Sequence, residues 1–341
     1  MKPTIPPASP SDYANHLPAD HYLHPEAPTE WWWIIGTLKA GDRLFGFEIN
    51  AANLTLPFSQ VMLTDVANNA HYQQTKLQKG GPDWAESDPS KDWYVKLGDP
   101  TTDDSWIAMN SPQADPTKNM VVKAAFVDAK TQKPVTFDLM LSQEGAPLMV
   151  WGTGVTAPPT PPTLKTNNYY YSLTRCHTTG TVTLDGETIP VEGLTWMDHE
   201  YGLFGTAGKP VKWFLQAMQL SNGIHISHSV SFPDAPPTKG VATKSAATIQ
   251  LADGTIYFDQ HCLLTPLGDP WVNKDTGASF FLEFQIEIPS CDATLIVKSL
   301  VDEQDFPFPG GIADTYEGVA SAHGTFLGED VHGTAWNEQQ P

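Results

Sequence analysis

Cysteine is scarce in this chain, and its spacing excludes the cysteine-based metal sites. The three cysteines, Cys176, Cys262 and Cys291, are far apart, and none belongs to a Cys-x-x-Cys pair. A zinc ribbon or a disulfide-rich scaffold needs more cysteines at closer spacing. We therefore interpret them as small buried or free thiols, with one disulfide possible.

Basic residues and long apolar runs are also lacking. Lysine and arginine total 19 against 39 acidic residues, for a formal net charge of −20. Nucleic acids and anionic membranes select basic surfaces, so neither is an expected partner. No apolar run approaches the length of a transmembrane helix, so no integral membrane contact is expected. Residues 1–19, rich in proline and serine, contain no apolar leader, which favours a cytoplasmic location unless a leader has been trimmed.

Proline (30) and glycine (26) are abundant, while charged residues make up only 17% of the chain. Together with short runs of threonine, valine and aromatics, this composition predicts an all-β protein with many turns. A hairpin is predicted from Trp33–Leu38 and Arg43–Ile49, joined at Gly41. Further strands are predicted at residues 58–66, 92–98, 104–109, 119–127 and 134–142. No segment has a sustained helical period.

An internal repeat predicts two related β-domains. The Trp-led segment at Trp33 resembles the one at Trp213, and Gly193-x-x-Trp196 resembles Gly333-x-x-Trp336. Duplication of one β-barrel or sandwich unit explains both matches. The predicted domains are residues 1–207, including the irregular N-terminal arm, and residues 208–341. The proline-rich stretch at 158–162 is then a loop within the first domain.

Residues 168–202 combine aromatic and titratable side chains more densely than any other segment. They contain Tyr-Tyr-Tyr-Ser-Leu-Thr-Arg and, after a Gly-rich hairpin, Gly-Leu-Thr-Trp-Met-Asp-His-Glu-Tyr-Gly. Acids and an imidazole framed by aromatics suit proton chemistry on an apolar substrate. A polar strand end in a β-protein would leave a similar pattern. After the equivalent Trp336, the chain reads Asn337-Glu338-Gln339, so only the first copy has an acid directly before histidine.

Five strings in order resemble one family: Glu30-Trp31-Trp32, Tyr169 to Arg175, Trp196 to Gly202, Lys212 to Gln216, and Tyr316-Glu317-Gly318. The chain is similar to the AttH-like proteins, which are grouped with carotenoid 1,2-hydratase and often labelled predicted secreted hydrolases. The resemblance implies two lipocalin-like (calycin) β-domains with a pocket in or between them. Relatives include hydratases of carotenoids and isoflavonoids and fungal cyclases that close polyenes by Diels–Alder reactions. The resemblance also implies a greasy unsaturated substrate and no cofactor.

Departures from the family pattern leave the substrate open. Trp33, Ile34 and Ile35 replace the usual residues after the Glu-Trp-Trp string, and Tyr316 replaces a tryptophan. The Trp-Met-Asp-His string is intact.

Asp198 is the predicted general acid, because protonation of an alkene needs a carboxyl that burial keeps neutral. In a strand, Trp196, Asp198 and Glu200 share one face, which we predict to point inward, and His199 points to the other. His199 is therefore either a catalytic residue or a satisfied structural histidine. Arg175, expected on the face of Tyr171, would bind a substrate carboxylate or enolate, or else neutralise Asp198 or Glu200.

The candidate catalytic residues are Asp198, Glu200, Arg175 and His199. The candidate substrate-binding residues are Glu30, Trp31, Trp32, Trp33, Tyr171, Trp196, Trp213, Gln216 and His228. No metal is predicted, because His225 and His228 diverge to opposite faces of a strand.

The predicted function is a cofactor-free enzyme on a terpenoid-like or polyketide-like molecule, working by protonation-initiated hydration or cyclisation in a pocket at the domain junction. Two alternatives remain: a pericyclase that folds a polyene, and a lipocalin-style carrier that only binds. A monomer or a homodimer is expected.

Overall fold

The computed structural model describes residues 2–54, 56–78, 83–157, 159–205, 211–232, 235–307 and 314–341. The chain divides into two compact units. The first unit is Ala14–Pro147 with Gly154–Phe204, and the second is Met1–Tyr13 with Leu148–Thr153 and Gly205–Pro341. The domain bounds of 1–207 and 208–341 stay a prediction.

Strands make up nearly all of the regular structure, as the turn-rich composition predicts. In chain order they are β1 Thr29–Ala40, β2 Arg43–Asn53, β3 Pro57–Asp65, β4 Ala70–Leu77, β5 Tyr94–Leu97, β6 Trp106–Asn110, β7 Asn119–Val127, β8 Pro134–Gln143, β9 Leu148–Met149, β10 Asn168–Leu184, β11 Glu187–Gly202, β12 Lys212–Leu220, β13 His225–Phe232, β14 Thr243–Gln250, β15 Ile256–Leu267, β16 Trp271–Val272, β17 Ser279–Phe280, β18 Glu283–Ile288, β19 Ala293–Ser299, β20 Asp305–Pro307, β21 Asp314–Phe326 and β22 Glu329–Gln340. The helical segments of the described chain are short 3-10 turns at Pro10–Asp12, Ala19–His21, Val66–Asn68, Val150–Gly152 and Pro289–Cys291. Within the described ranges, no helix has the length and apolar character needed to cross a bilayer.

The first unit is built on one antiparallel sheet with the strand order β4-β3-β2-β1-β11-β10-β8-β7-β6-β5. The predicted hairpin is confirmed as β1 and β2, which are longer than expected and pair from Glu30–Asn53 to Ala40–Arg43. The sheet curves into a half-barrel, since Phe47 on β2 packs against Phe137 on β8 with ring centroids 5.8 Å apart, although three strands separate them in the sheet. The concave side therefore holds the apolar core of this unit.

The second unit is a closed barrel. Its strands run β19-β18-β15-β14-β13-β12-β22-β21, and β19 pairs with β21 to complete the circle, with β20 at the side of β21. Closure removes the exposed edges that an open sheet presents.

The interior of this barrel is a packed core crossed by a polar layer. On β12, the inward positions read Phe214, Gln216 and Met218, and β13 repeats the pattern of apolar, polar and apolar residues. Hydrogen bonds of His228 to Gln216 (2.7 Å) and Ser245 (2.8 Å) hold the layer together.

Glycines at equivalent positions support the duplication of one β-unit. A Cβ on Gly193 would lie 1.9 Å from the carbonyl oxygen of Thr37, and a Cβ on Gly333 would lie 2.1 Å from that of Gln219. Neither position leaves room for a side chain. In both units this glycine lets the closing strand approach the opening strand, β1 or β12, closely.

The register corrects one detail of the predicted repeat. Trp196 pairs with Ile35 and Trp336 pairs with Ala217, so β1 and β12 align with Trp31, not Trp33, opposite Trp213. The alignment of the two sequence segments was offset by two residues. Side chains alternate with a period of two along a strand, so such an offset leaves the pattern unchanged.

Candidate functional site

The candidate site lies on the three central strands of the first unit, β10, β11 and β1. Their register divides the predicted residues between two faces of the sheet. We call one the acid face, which carries Trp31, Trp33, Tyr170, Ser172, Trp196, Asp198 and Glu200. The other, the histidine face, carries Glu30, Trp32, Tyr169, Tyr171, His199 and Tyr201.

Asp198 is held by hydrogen bonds to one carboxyl oxygen. Its Oδ1 accepts from Ser172 Oγ at 2.5 Å and from Trp196 Nε1 at 2.6 Å. Burial raises the pKa of Asp198 to about 6, although the hydrogen bonds from Ser172, Trp196 and Tyr170 oppose the rise. The carboxyl is therefore protonated in about half of the molecules at pH 6 and in a minority at pH 7, so its acid form is available mainly under mildly acidic conditions.

Aromatic and apolar side chains surround the acids on the same face. Trp31 packs with Ala52 and Phe58, and its ring meets Phe204 edge-on with centroids 5.0 Å apart. Glu200 accepts a hydrogen bond from Asn168. The acid face thus combines carboxyl groups with aromatic ring faces able to stabilise a positive charge.

The shared face of Trp196, Asp198 and Glu200 is confirmed, but its predicted inward direction is wrong. The histidine face lies on the concave side of the half-barrel, with Trp32 on the same face as Ile34 and Ile49. Asp198 and Glu200 lie on the opposite side and are nonetheless only 6% and 7% exposed. Alternation shows which residues share a face, but it cannot show which face a sheet curls around.

A chain of hydrogen bonds runs along the histidine face. His199 Nε2 and His24 Nδ1 each lie 2.9 Å from Glu30 Oε1, and the backbone N–H of His24 donates to Glu30 Oε2 at 2.8 Å. Tyr171 Oη lies 3.1 Å from His199 Nδ1 and 2.6 Å from His21 Nδ1. Trp32 stacks on His199 with ring centroids 4.4 Å apart. This network ties residues 21–24 to the sheet behind Asp198.

The protonation states in this network follow from Glu30. Burial opposes its ionisation, but the hydrogen bonds from His199 and His24 dominate and hold its pKa below the usual range. The pKa of His199 is lowered by burial, so a neutral His199 donates from Nε2 to Glu30 and accepts from the Tyr171 hydroxyl at Nδ1. For His24, burial lowers the pKa, but Asp20 and Glu30 raise it to about 9. Both ring nitrogens of His199 thus have hydrogen-bond partners on the histidine face, and its role, catalytic or structural, stays a prediction.

His24, Glu30 and His199 are the described residues that could hold a metal ion, since one ligand atom of each lies within 4.8 Å of the others. In this arrangement Glu30 accepts three hydrogen bonds from within the group. That donor set already satisfies the carboxylate, so hydrogen bonding accounts for the group. The absence of a metal from the reaction stays a prediction.

Arg175 does not follow the predicted alternation. The pairing of β10 with β11 shifts register between Leu173 and Cys176, so a β-bulge contains Arg175. A bulge adds one residue and breaks the alternation that placed Arg175 with Tyr171. Its backbone is held by Gln143 and Glu144, and burial lowers its pKa.

The remaining predicted residues belong to the second unit. Gln216 and His228 form the polar layer of the barrel, where burial lowers the pKa of His228 to about 3. Trp213 donates from Nε1 to Glu338, which stands at the position equivalent to Asp198. A separate open pocket of about 530 Å³ in the first unit is lined by residues such as Lys76, Trp84 and Lys96, and none of the predicted residues lines it.

Sequence reasoning missed Ser172, Tyr170 and Asn168 as partners of the acids, and His21 and His24 as partners of Tyr171 and Glu30. The Tyr-Tyr-Ser string carried a signal for the first group, because β10 and β11 form one hairpin. His21 lies 150 residues from Tyr171 along the chain, and His24 lies six residues from Glu30 but outside its strand. Their contact depends on the path of the N-terminal arm.

Comparison with known proteins agrees with this all-β architecture. The AttH-like family model matches residues 8–338, and the chain belongs to that family. A curated relative, the dehydratase asqC of Emericella nidulans, is 26% identical over 204 residues, which cover 58% of this chain and 56% of the relative. The chain therefore spans little more than half the length of that relative.

Two crystal structures share the fold. An AttH protein from Nitrosomonas europaea has a TM-score of 0.76 at 19% identity, over 98% of this chain and 99% of that one. Kievitone hydratase from Nectria haematococca has a TM-score of 0.73 at 15% identity, over 99% of this chain and 97% of that one. The predicted family and all-β fold of two lipocalin-like domains are confirmed.

Proposed function

We propose that this protein is an enzyme that adds water to, or removes it from, a hydrophobic unsaturated small molecule, with Asp198 as the general acid. The observation that carries the proposal is the buried Asp198 carboxyl, with a pKa of about 6, beside tryptophan rings. Hydration and dehydration are the two directions of one reaction, and the names of the dehydratase relative and the hydratase neighbour support this choice.

The proposed reaction balances without a cofactor. In the hydration direction, Asp198 gives its proton to an alkene carbon, and the electron pair of the double bond forms the new C–H bond. Water then attacks the carbocation and loses a proton to the Asp198 carboxylate, which restores the acid. In the reverse direction, Asp198 protonates a hydroxyl and water leaves. The neighbouring carbon then loses a proton to the Asp198 carboxylate, and the C–H electron pair forms the alkene.

The surroundings of Asp198 suit these steps. Burial raises the pKa of the carboxyl, so that below about pH 6 most molecules hold the proton the reaction needs. The rings of Trp31, Trp33 and Trp196 provide π-faces on the same side of the sheet for the cation. Ser172 and Trp196 both donate to Oδ1, so they stabilise the carboxylate that remains after proton transfer. Capture of the same cation by an internal double bond or hydroxyl would give cyclisation.

The carrier alternative receives less support. A lipocalin-style carrier needs an open apolar lumen, whereas the interior of the second unit contains two apolar clusters with a hydrogen-bonded polar layer between them. The pericyclase alternative does not need proton transfer, so the substitution Asp198→Asn distinguishes it from a hydratase.

The test compares wild type with Asp198→Asn on a panel of terpenes, polyenes and tertiary allylic alcohols, with products followed by mass spectrometry. We expect turnover to be lost and binding retained in the variant, and wild-type kcat to fall as pH rises above about 6, because the acid ionises. Glu192→Gln is the control, since Glu192 is an exposed carboxyl on the same strand. Turnover that survives Asp198→Asn would favour a pericyclase, and binding without turnover would favour a carrier.

A further inference from the structure

The acid face extends sideways from Asp198 as a row of residues on adjacent strands. From β10 to β4, the register places Ser172, Asp198, Trp33, Asn50, Gln60 and Thr75 next to one another. Directly paired residues of an antiparallel sheet lie on the same face, so all six side chains share the face of the acid. The row contains the proposed catalytic carboxyl near one end and ends in three polar residues.

Asn50 and Gln60 use only part of their hydrogen-bonding capacity. Asn50 Nδ2 donates to Gln60 Oε1 at 3.0 Å. Among the described residues, Asn50 Oδ1 and Gln60 Nε2 have no partner, although these residues are only 0% and 1% exposed. Exchanging oxygen and nitrogen in both amides would reverse the bond and still leave one acceptor and one donor unused.

Such buried and unpaired groups are costly, and most buried polar groups in proteins have partners. Further along the same sheet, Thr178 and Thr195 illustrate the usual arrangement, with their hydroxyl groups 2.7 Å apart. A protein that keeps unpaired amides in the same row as its proposed catalytic carboxyl gains something from them other than stability.

The fold does not require these amides. In the second unit, Glu338 stands at the position of Asp198 and pairs with Leu215. The same row continues through Ser229 to Ala246 on the next two strands. Ser229 and Ala246 therefore occupy the positions of Asn50 and Gln60. The duplicated unit folds with neither amide, so the pair belongs to the first unit's own chemistry.

We infer that Asn50 and Gln60 form a subsite that binds a polar head group of the substrate, one that combines a carbonyl with an adjacent N–H or O–H, such as a lactam. This inference rests on the proposed function for the reacting end of the molecule. The unused acceptor takes the N–H or O–H, and the unused donor binds the carbonyl. With adjacent strands about 4.8 Å apart, the two amides lie about 10 and 14 Å from Asp198, with the half-buried ring of Trp33 between. The substrate class is therefore an apolar molecule whose head group lies this far from the atom that is protonated.

Three rigid ring compounds of nearly equal size test the subsite: phenanthridin-6(5H)-one, which has donor and carbonyl, its N-methyl derivative, which has the carbonyl alone, and phenanthrene, which has neither. Binding is measured by equilibrium dialysis with absorbance detection. The proteins are wild type, Asn50→Leu/Gln60→Met, Gln60→Met alone, and Asp198→Asn. Each apolar replacement has nearly the shape of the amide it removes, and each variant is first checked by thermal melting.

We expect wild type to bind the lactam about tenfold more tightly than its N-methyl derivative, the value of one lost hydrogen bond in a buried site. The double variant should lose this preference and melt no lower than wild type, because it removes unpaired buried groups; Gln60→Met should show an intermediate preference. Asp198→Asn should keep the preference, so a failure of the proposed acid chemistry would leave this result intact. Equal affinities in wild type, no binding of the lactam, or a preference that survives the double substitution would overturn the inference.

Discussion

Replacing Asp198 with asparagine should make the protein more stable at neutral and alkaline pH while it abolishes turnover. Asparagine keeps the size of the side chain and an Oδ1 that accepts from Ser172 and Trp196. It removes the buried charge and replaces the other carboxyl oxygen with an amide nitrogen. The acid that the proposed reaction uses is therefore expected to lower the free energy of unfolding of the protein.

The magnitude follows from the pKa of Asp198. Burial raises it from the ordinary 3.8 to about 6, so between these values the folded protein binds more protons than the unfolded chain. Stability contributed by this group therefore falls as pH rises from about 4 to about 6 and is constant above. At about 1.4 kcal/mol per pKa unit, the wild type loses on the order of 3 kcal/mol over this interval, and Asp198→Asn does not.

Urea unfolding followed by tryptophan fluorescence at pH 4, 6 and 8 measures this difference. The free energy of unfolding of Asp198→Asn minus that of wild type should increase between pH 4 and pH 8 by about 3 kcal/mol. Glu192→Gln, at an exposed position of the same strand, should show a difference that does not change with pH. A pH-independent difference for Asp198→Asn would refute the raised pKa of the buried carboxyl, and with it the proposed acid.

Two further predictions concern the frame of the site. Gly193→Ala should destabilise the protein by more than about 3 kcal/mol in urea unfolding, because the new Cβ would lie 1.9 Å from a carbonyl oxygen. The control Gly41→Ala, with open space around it, should lose only about 1 kcal/mol. Equal losses in the two variants would contradict this packing argument. The protonated form of His24 is the stabilising one, because the pKa of His24 is raised to about 9 in the folded protein. His24→Gln should therefore lose stability, on the order of 3 kcal/mol, below pH 6.5. This loss should disappear as pH rises through about 9. The exposed His323→Gln is the control for the second, and a loss that persists at pH 10 would mean that packing, not charge, is what His24 contributes.

Local chemistry in the sequence was enough to predict the strands and their faces. Proline, glycine and short runs of β-branched and aromatic residues fix an all-β chain, and two-residue alternation separates Asp198 from His199 whatever the tertiary structure. The Gly-x-x-Trp repeat marked the duplication because each copy brings a strand too close to its neighbour for a Cβ.

The tertiary structure alone decided where those faces point and what meets them. Side-chain alternation does not specify the direction in which a sheet curves. In this protein the sheet curves so that His199 and Trp32, not the acids, lie on the concave side. A bulge moved Arg175 out of its predicted series because one extra residue resets the pattern. The row from Asp198 to Gln60 joins residues far apart in the chain, and the network of His21, His24 and Glu30 depends on the path of the arm. Pairing across strands is a long-range property, and no local pattern specifies it.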